Sequence, residues 1–308
     1  MPTLYLSHPS SLQHIVPEGH PERPDRIRAV EQVMEAEAFQ TLLREQAPMV
    51  DLQEIAAAHP QEYIDALQDA APSEGMVRID ADTAMSAGTW EAVMRGVGAA
   101  VYAVDEVMTG KVKNAFCAMR PPGHHAEKTR AMGFCLFNNA AIAAMHARAK
   151  HGAERVAVID FDVHHGNGTQ DIFWDQKDLF YGSTHQMPLF PGTGATDETG
   201  VGNIFNAPLH PGDDGVAFRD AMDVRILPAL EKHRPDLIII SAGFDAHERD
   251  PLANINLTED DFAWVTRRLM DIADKQCDGR VVSVLEGGYD LMGLSLGVAA
   301  HVRALMGS

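Results

Sequence analysis

The stretch "VIDFDVHHGNG", Val158 to Gly168, decides the reading of this chain. Three of its first six residues are β-branched, which favours a strand buried on both faces. The same stretch carries two aspartates, two adjacent histidines and two glycines, groups that do not belong in a dry core without partners. Residues two apart in extended chain point to one side, so Asp162 and His164 can present an oxygen and a nitrogen to a single point. A third protein ligand would complete an open metal site with room for water. Asp245, in "AGFDAHERDP" at another strand end, is the candidate third ligand.

Moving outward, short β-branched runs alternate with longer helix-period segments. "TLYLS", "AFCAM", "RVAVIDF", "LFYGS", "DLIIIS" and "RVVSVL" read as strands. Gly88 to Gly110 and Asn138 to Lys150 read as Ala-rich helices. In "TEDDFAWVTRRLMDIADKQCDG" the apolar residues Phe262, Val265, Leu269 and Ile272 recur at helical spacing, with Thr258 as N-cap and Gly279 beyond the end. This alternation implies an α/β fold, a mostly parallel sheet with helices on both faces. No repeat or linker interrupts it, so residues 1–308 read as a single domain. The Gly/Pro-rich tract Met187 to Asn203 reads as a functional surface loop.

The chemically able clusters fall at strand ends. "RPPGHHAE" follows "AFCAM", "GSTHQ" ends "LFY", "AGFDAHERD" follows "DLIIIS", and "EGGYD" follows "VVSVL". Open α/β sheets bind ligands outside the carboxyl ends of their strands. Pro121, Pro122 and Gly123 sharpen the turn that carries His124 and His125, and histidine suits proton transfer near neutral pH. Gly287 and Gly288 let the backbone turn Tyr289 toward the site, where its phenol can donate to a developing oxyanion. Together these parts describe metal-assisted hydrolysis. No nucleophile elbow, P-loop or Rossmann fingerprint competes with that reading.

Composition bounds the partners. The chain has 308 residues, 45% hydrophobic and 22% charged, with a formal net charge of -19. Such acidity repels phosphate backbones and anionic lipid, which argues against nucleic acid and membrane partners. Cys117, Cys135 and Cys277 lack paired spacing, and the start "MPTLYLSHPS" lacks the pattern of a signal peptide, so a reduced cytoplasm is expected.

The motifs "GHPERPDRI", "RPPGHHAE", "GFCLFNN", "DFDVHHGNGTQ", "PGTG", "SAGFDAHERDPL" and "LEGGYD" span residues 19 to 290 in one order. In them the chain resembles the histone deacetylase and acetylpolyamine amidohydrolase superfamily, with "RPPGHHA" and "HHGNGTQ" similar to its class II and bacterial branch. The resemblance implies a single arginase-like domain with an eight-stranded sheet. It implies Zn2+ on Asp162, His164 and Asp245, with Fe2+ also suited to such a mixed oxygen/nitrogen set. His125 matches the general base, His124 its electrostatic partner and Tyr289 the residue that holds the substrate carbonyl. Asp160 matches the carboxylate behind the first histidine. It also matches part of a K+ site that would use the backbone carbonyls of Asp162, His164 and Thr184 and the hydroxyl of Ser183. Asn167 falls where other branches carry aspartate; a neutral partner should leave His125 a free base at neutral pH.

The resemblance further assigns Phe134 and Phe190 to the substrate side chain and the Gly133 carbonyl to its amide. It places Arg26 along an inner channel by which acetate leaves. His165 is left with a structural or supporting role. Leu252 occupies the position where the polyamine-selective branch has a glutamate, which favours an acetylated lysine over a polyamine. Asp80 or Asp82 is a rim candidate for a substrate amine or backbone. Three other readings stay open: a small acetylated amine such as an acetylpolyamine as substrate, a non-catalytic acyl-lysine binding protein, and an arginase-type manganese hydrolase. The oligomeric state also stays open.

Overall fold

The consecutive apolar positions of the strands are explained by what covers them. The structure is a computed structural model and describes residues 1–307. Its ten strands are β1 (Thr3–Ser7), β2 (Leu43–Gln46), β3 (Met76–Arg78), β4 (Ala84–Ser86), β5 (Asn114–Cys117), β6 (Val156–Asp160), β7 (Leu179–Gln186), β8 (Ile204–Leu209), β9 (Leu237–Ala242) and β10 (Val281–Leu285). Eight form one sheet in the order β2-β1-β5-β10-β9-β6-β7-β8, and β3 and β4 form a separate antiparallel ribbon. Every pairing in the large sheet is parallel.

Alternate residues of one strand enter different cores. Val156 and Val158 of β6 pack on one face, Ala157 and Ile159 on the other. Leu237 and Ile239 of β9 divide from Ile238 and Ile240 in the same way. Helices Thr89–Met108 and Asn139–His151 cover the first face. Helices Asp25–Met34, Glu259–Gln276 and Leu291–Leu305 cover the second. The helix at Glu259 starts as its sequence requires, with the Asp261 carboxylate accepting from the Thr258 amide at 2.9 Å, and Gly279 follows its end at φ +75°.

The sheet order puts the polar strand ends side by side. β6 neighbours β9, in a register that sets Asp160 opposite Ser241. The loop carrying Asp162 and His164 therefore lies against the loop carrying Asp245. β10 lies next, so the turn with Tyr289 joins them, and β5 brings the tandem histidines. Burying Val156, Val158 and Ile159 contributes about 1.5–3 kcal/mol each, and the buried Asp160 at the strand end accepts from the Asp162 amide at 3.1 Å and the Tyr181 hydroxyl at 3.0 Å.

Two strands of the large sheet have no counterpart in the sequence reading, and both are edges; the β3–β4 ribbon has none either. β2 is the mostly exposed segment Leu-Arg-Glu-Gln, and β8 includes Pro208. A further difference concerns "GSTHQ", which belongs to β7 itself, because that strand runs on to Gln186.

Candidate active site

The carboxyl ends of β6 and β9 build a three-residue cluster. His164 Nδ1 lies 3.1 Å from Asp162 Oδ1 and 3.1 Å from Asp245 Oδ2. One donor atom from each residue lies within 4.8 Å of the others. The backbone fixes both carboxylates: the Val163 amide donates to Asp245 Oδ1 at 2.9 Å and the Gly287 amide to Asp162 Oδ2 at 2.8 Å. Gly287 and Gly243 are required here. A Cβ on Gly287 would stand 2.1 Å from Asp245 Oδ2, and one on Gly243 would stand 2.2 Å from Asp162 Oδ2.

The charges in this cluster do not balance. Burial, and then the Asp162 charge, push Asp245 up to about 7. Burial pulls His164 down, yet its hydrogen bonds to Asp162 and Asp245 prevail and lift it to about 10. Two carboxylates and one imidazole in a dry, preformed pocket fit a divalent cation with a position left open.

The tandem histidines stand beside it in opposite electrostatic states. His124 Nδ1 is 2.9 Å from Asp160 Oδ2, and its Nε2 is 3.8 Å from Asp162 Oδ1. Burial opposes its charge, but Asp160, Asp162 and Glu286 outweigh burial and hold its pKa well above the ordinary value. His125 Nδ1 is 2.8 Å from Asn167 Oδ1. Burial, and then the charges of His124 and His164, hold its pKa well below the ordinary value. Asn167 Nδ2 donates to Glu127 Oε1 at 2.7 Å, so the amide turns its oxygen to His125. His125 Nδ1 then carries the proton, and Nε2 is left with a free lone pair.

Tyr289 is held from behind. Its amide donates to Asp250 Oδ2 at 2.7 Å, and the preceding Gly288 adopts φ +124°. Arg26 is fully buried beneath it, 5.0 Å from the ring centroid, and donates to the Gly288 carbonyl at 2.6 Å and to Glu22 at 3.0 Å. Glu286 accepts from the amides of Gly123 at 2.7 Å and His124 at 3.2 Å. Glu22, Asp250 and Glu286 were not singled out in the sequence. Each sits inside or beside a quoted motif, but its role depends on backbone amides and distant cations that spacing does not reveal.

Above the cluster opens a cavity of about 270 Å³, lined by Asp82, His125, Gly133, Phe134, His164, Leu189, Phe190, Leu252 and Tyr289. All five rim and channel positions expected from the sequence are among them, and Leu189 is an addition. Gly133 and Phe134 both adopt left-handed backbone, at φ 56° and 68°. Asp80 is directed to its own turn, accepting from the amides of Asp82 and Thr83, which leaves Asp82 at the rim.

Two further expectations concern positions deeper in the fold. The register of β6 and β7 sets Asp160 against Ser183, with Thr184 next, and all three are buried. The Ser183 hydroxyl lies 2.9 Å from His185 Nδ1. His165 is bound between Thr193 at 2.7 Å and Gln170 at 3.1 Å, anchoring the Gly/Pro-rich loop.

A parallel eight-stranded α/β sheet with buried histidines and carboxylates converging beyond its strand ends is the deacetylase-type architecture. The chain belongs to the histone deacetylase family, whose domain profile matches residues 20–305. It is 40% identical over 280 residues to the histone deacetylase-like amidohydrolase of Pseudomonas aeruginosa, covering 88% of this chain and 73% of that protein. It is 39% identical over 311 residues to the chloroplastic histone deacetylase 10 of Oryza sativa subsp. japonica, covering 94% of this chain and 70% of that one. The crystal structure of the HDA15 HD domain superposes with a TM-score of 0.95 at 36% identity, covering all of this chain and 90% of the other.

Proposed function

We propose that this chain is a zinc-dependent deacetylase that removes acetyl or short acyl groups from an acetyl-lysine-type amine. The observation that carries the proposal is the cavity that ends on the Asp162–His164–Asp245 cluster with His125 and Tyr289 at its base. A zinc ion held by those three residues would polarise the amide carbonyl and lower the pKa of water beside it.

The side chains supply the rest. Neutral His125 accepts the proton of the attacking water at Nε2 and returns a proton to the leaving amine. His124, kept cationic by Asp160, stabilises negative charge developing nearby. The Tyr289 hydroxyl donates to the carbonyl oxygen as it becomes an oxyanion. Phe134 and Phe190 flank the aliphatic part of the substrate, and the Gly133 carbonyl accepts from its amide. Leu252 offers an ammonium group no counter-charge, which disfavours a polyamine; Asp82 at the rim accepts from the substrate backbone. Arg26 would line the exit for acetate, and K+ would brace the loop through Asp160, Asp162, His164, Ser183 and Thr184. Three buried free cysteines suit a reducing compartment such as the cytoplasm. Among the described residues no helix is long and apolar enough to cross a membrane.

The test is a substrate panel on zinc-reconstituted protein: an acetyl-lysine peptide, N-acetylputrescine and N8-acetylspermidine. Turnover of the peptide with the highest kcat/KM is expected. A large preference for either polyamine overturns the substrate assignment, and binding without turnover of any of them makes the chain a reader of acyl-lysine. Asp245→Ala should abolish activity and lower bound zinc; unchanged zinc removes it from the ligand set.

A further inference from the structure

Helix Asn139–His151 begins beside the tandem-histidine loop, where the Asn138 side chain donates to the Ala126 carbonyl at 3.3 Å. At a rise of about 1.5 Å per residue, His146 and His151 lie about 10 and 18 Å along it from that end. There two histidines converge on one carboxylate of the neighbouring helix Thr89–Met108. His146 Nε2 lies 2.8 Å from Asp105 Oδ1, and His151 Nε2 lies 2.6 Å from the same oxygen. The two rings stand 5.7 Å apart at 71°, and the three donor atoms all lie within 4.8 Å of one another. None of these residues takes part in the site described above.

Glu54, on the short helix Leu52–Ile55, decides how His146 is presented. Its Oε2 lies 2.7 Å from His146 Nδ1. Both ring nitrogens of His146 face carboxylate oxygens, which only accept; a metal ion would take the Nε2 lone pair in place of the proton shared with Asp105, while Nδ1 keeps its bond to Glu54. A carboxylate behind the non-ligating nitrogen is the arrangement that orients metal-binding histidines. His146 is 3% exposed while Asp105 is 38% and His151 15% exposed, so the cluster has one buried anchor and an open side for water. Bonds of about 2.0–2.2 Å in a tetrahedron set donor atoms about 3.3–3.5 Å apart. The two distances from Asp105, 2.8 and 2.6 Å, reach that spacing by lengthening less than about 1 Å.

We propose that Asp105, His146 and His151 form a second metal site, for a divalent transition-metal ion such as zinc, with Glu54 orienting His146. The ion would join helices Thr89–Met108 and Asn139–His151 on one face of the sheet, with no residue shared with the catalytic cavity, and its role is structural.

The experiment counts zinc in metal-stripped protein titrated with zinc chloride and desalted, and follows Tm. His151→Gln and Asp105→Asn, at half-exposed positions, should each hold one equivalent fewer than the parent. Asp245→Ala should keep one equivalent, and Asp245→Ala combined with His151→Gln should keep none. Zinc should raise the Tm of Asp245→Ala protein by a few degrees and leave the double variant unmoved. Equal zinc in the parent, His151→Gln and Asp105→Asn would reduce the cluster to an ion pair and overturn the site. The count also separates the two centres. One equivalent in the parent, lost in His151→Gln and kept in Asp245→Ala, supports this site and overturns the zinc reading of the catalytic one.

Discussion

A single amide sets the proton inventory of the site. Asn167 hands its oxygen to His125 because Glu127 accepts from its nitrogen. Replacing it by aspartate places a negative charge beside His125 Nδ1, which favours the imidazolium and raises the pKa of His125. Asn167→Asp should therefore move the acid limb of the kcat/KM–pH profile to higher pH, with Glu127→Gln as the control for repulsion between the two carboxylates. An unmoved limb would detach His125 from that limb. Tyr289→Phe keeps the ring against Arg26 and removes only the hydroxyl. A fall in kcat of roughly 10²–10³ is expected, the scale of one lost oxyanion donor, with bound zinc unchanged. Near-normal turnover would remove Tyr289 from that role. The residues that touch the cavity were legible because chemistry needs particular side chains in particular motifs. Glu286 and Asp250 were not, because what they bind is mostly backbone, with the Ser241 hydroxyl added at Glu286, and any acceptor at the right place in space would serve.

Elements differ in how openly they declare themselves. β6 and β9 were visible because both faces are covered and the apolar run is continuous. β2 and β8 were hidden because an edge strand with solvent beside it needs no such run. The loops depend on backbone shape. Gly133 sits at φ 56°, and a Cβ there would lie 2.5 Å from the His125 ring. Gly133→Ala should leave the fold intact by circular dichroism and lower kcat/KM by at least about tenfold, since a misplacement of about 1 Å at a reacting group costs up to about 10²-fold. Wild-type activity in that variant would show that the loop accommodates the methyl group without moving His125.

At the scale of the whole molecule, the buried carboxylates tie stability to pH. Burial, with neighbouring charges, lifts Asp245 from 3.8 and Glu286 from 4.5 to about 7. Their contribution is complete below about pH 4 and is lost as pH rises through about 7. His164, lifted from 6.5 to about 10 by its carboxylate partners against burial, extends the loss upward. Metal-stripped protein should therefore lose Tm across this range as pH rises. In the proposed site zinc would displace the protons of Asp245 and His164, so the Tm gain on adding zinc should grow with pH. A gain independent of pH would contradict this charge assignment. Asp245→Asn should flatten the metal-free slope between about pH 4 and pH 7.

By itself the sequence determined the layer order of strand and helix, the clustering of polar groups at strand ends, and the identity of the metal-ligating, proton-transferring and oxyanion-binding candidates. These are local properties: periodicity, turn chemistry and the side chains a reaction demands. Only the tertiary structure decided which carboxylates are paired and which are left with excess charge, that Asp82 rather than Asp80 faces the cavity, and that Glu54, Asp105, His146 and His151 meet. Those depend on the order β2-β1-β5-β10-β9-β6-β7-β8 and on helix packing, which bring residues tens of positions apart within a hydrogen bond of each other. No spacing along the chain encodes such distances.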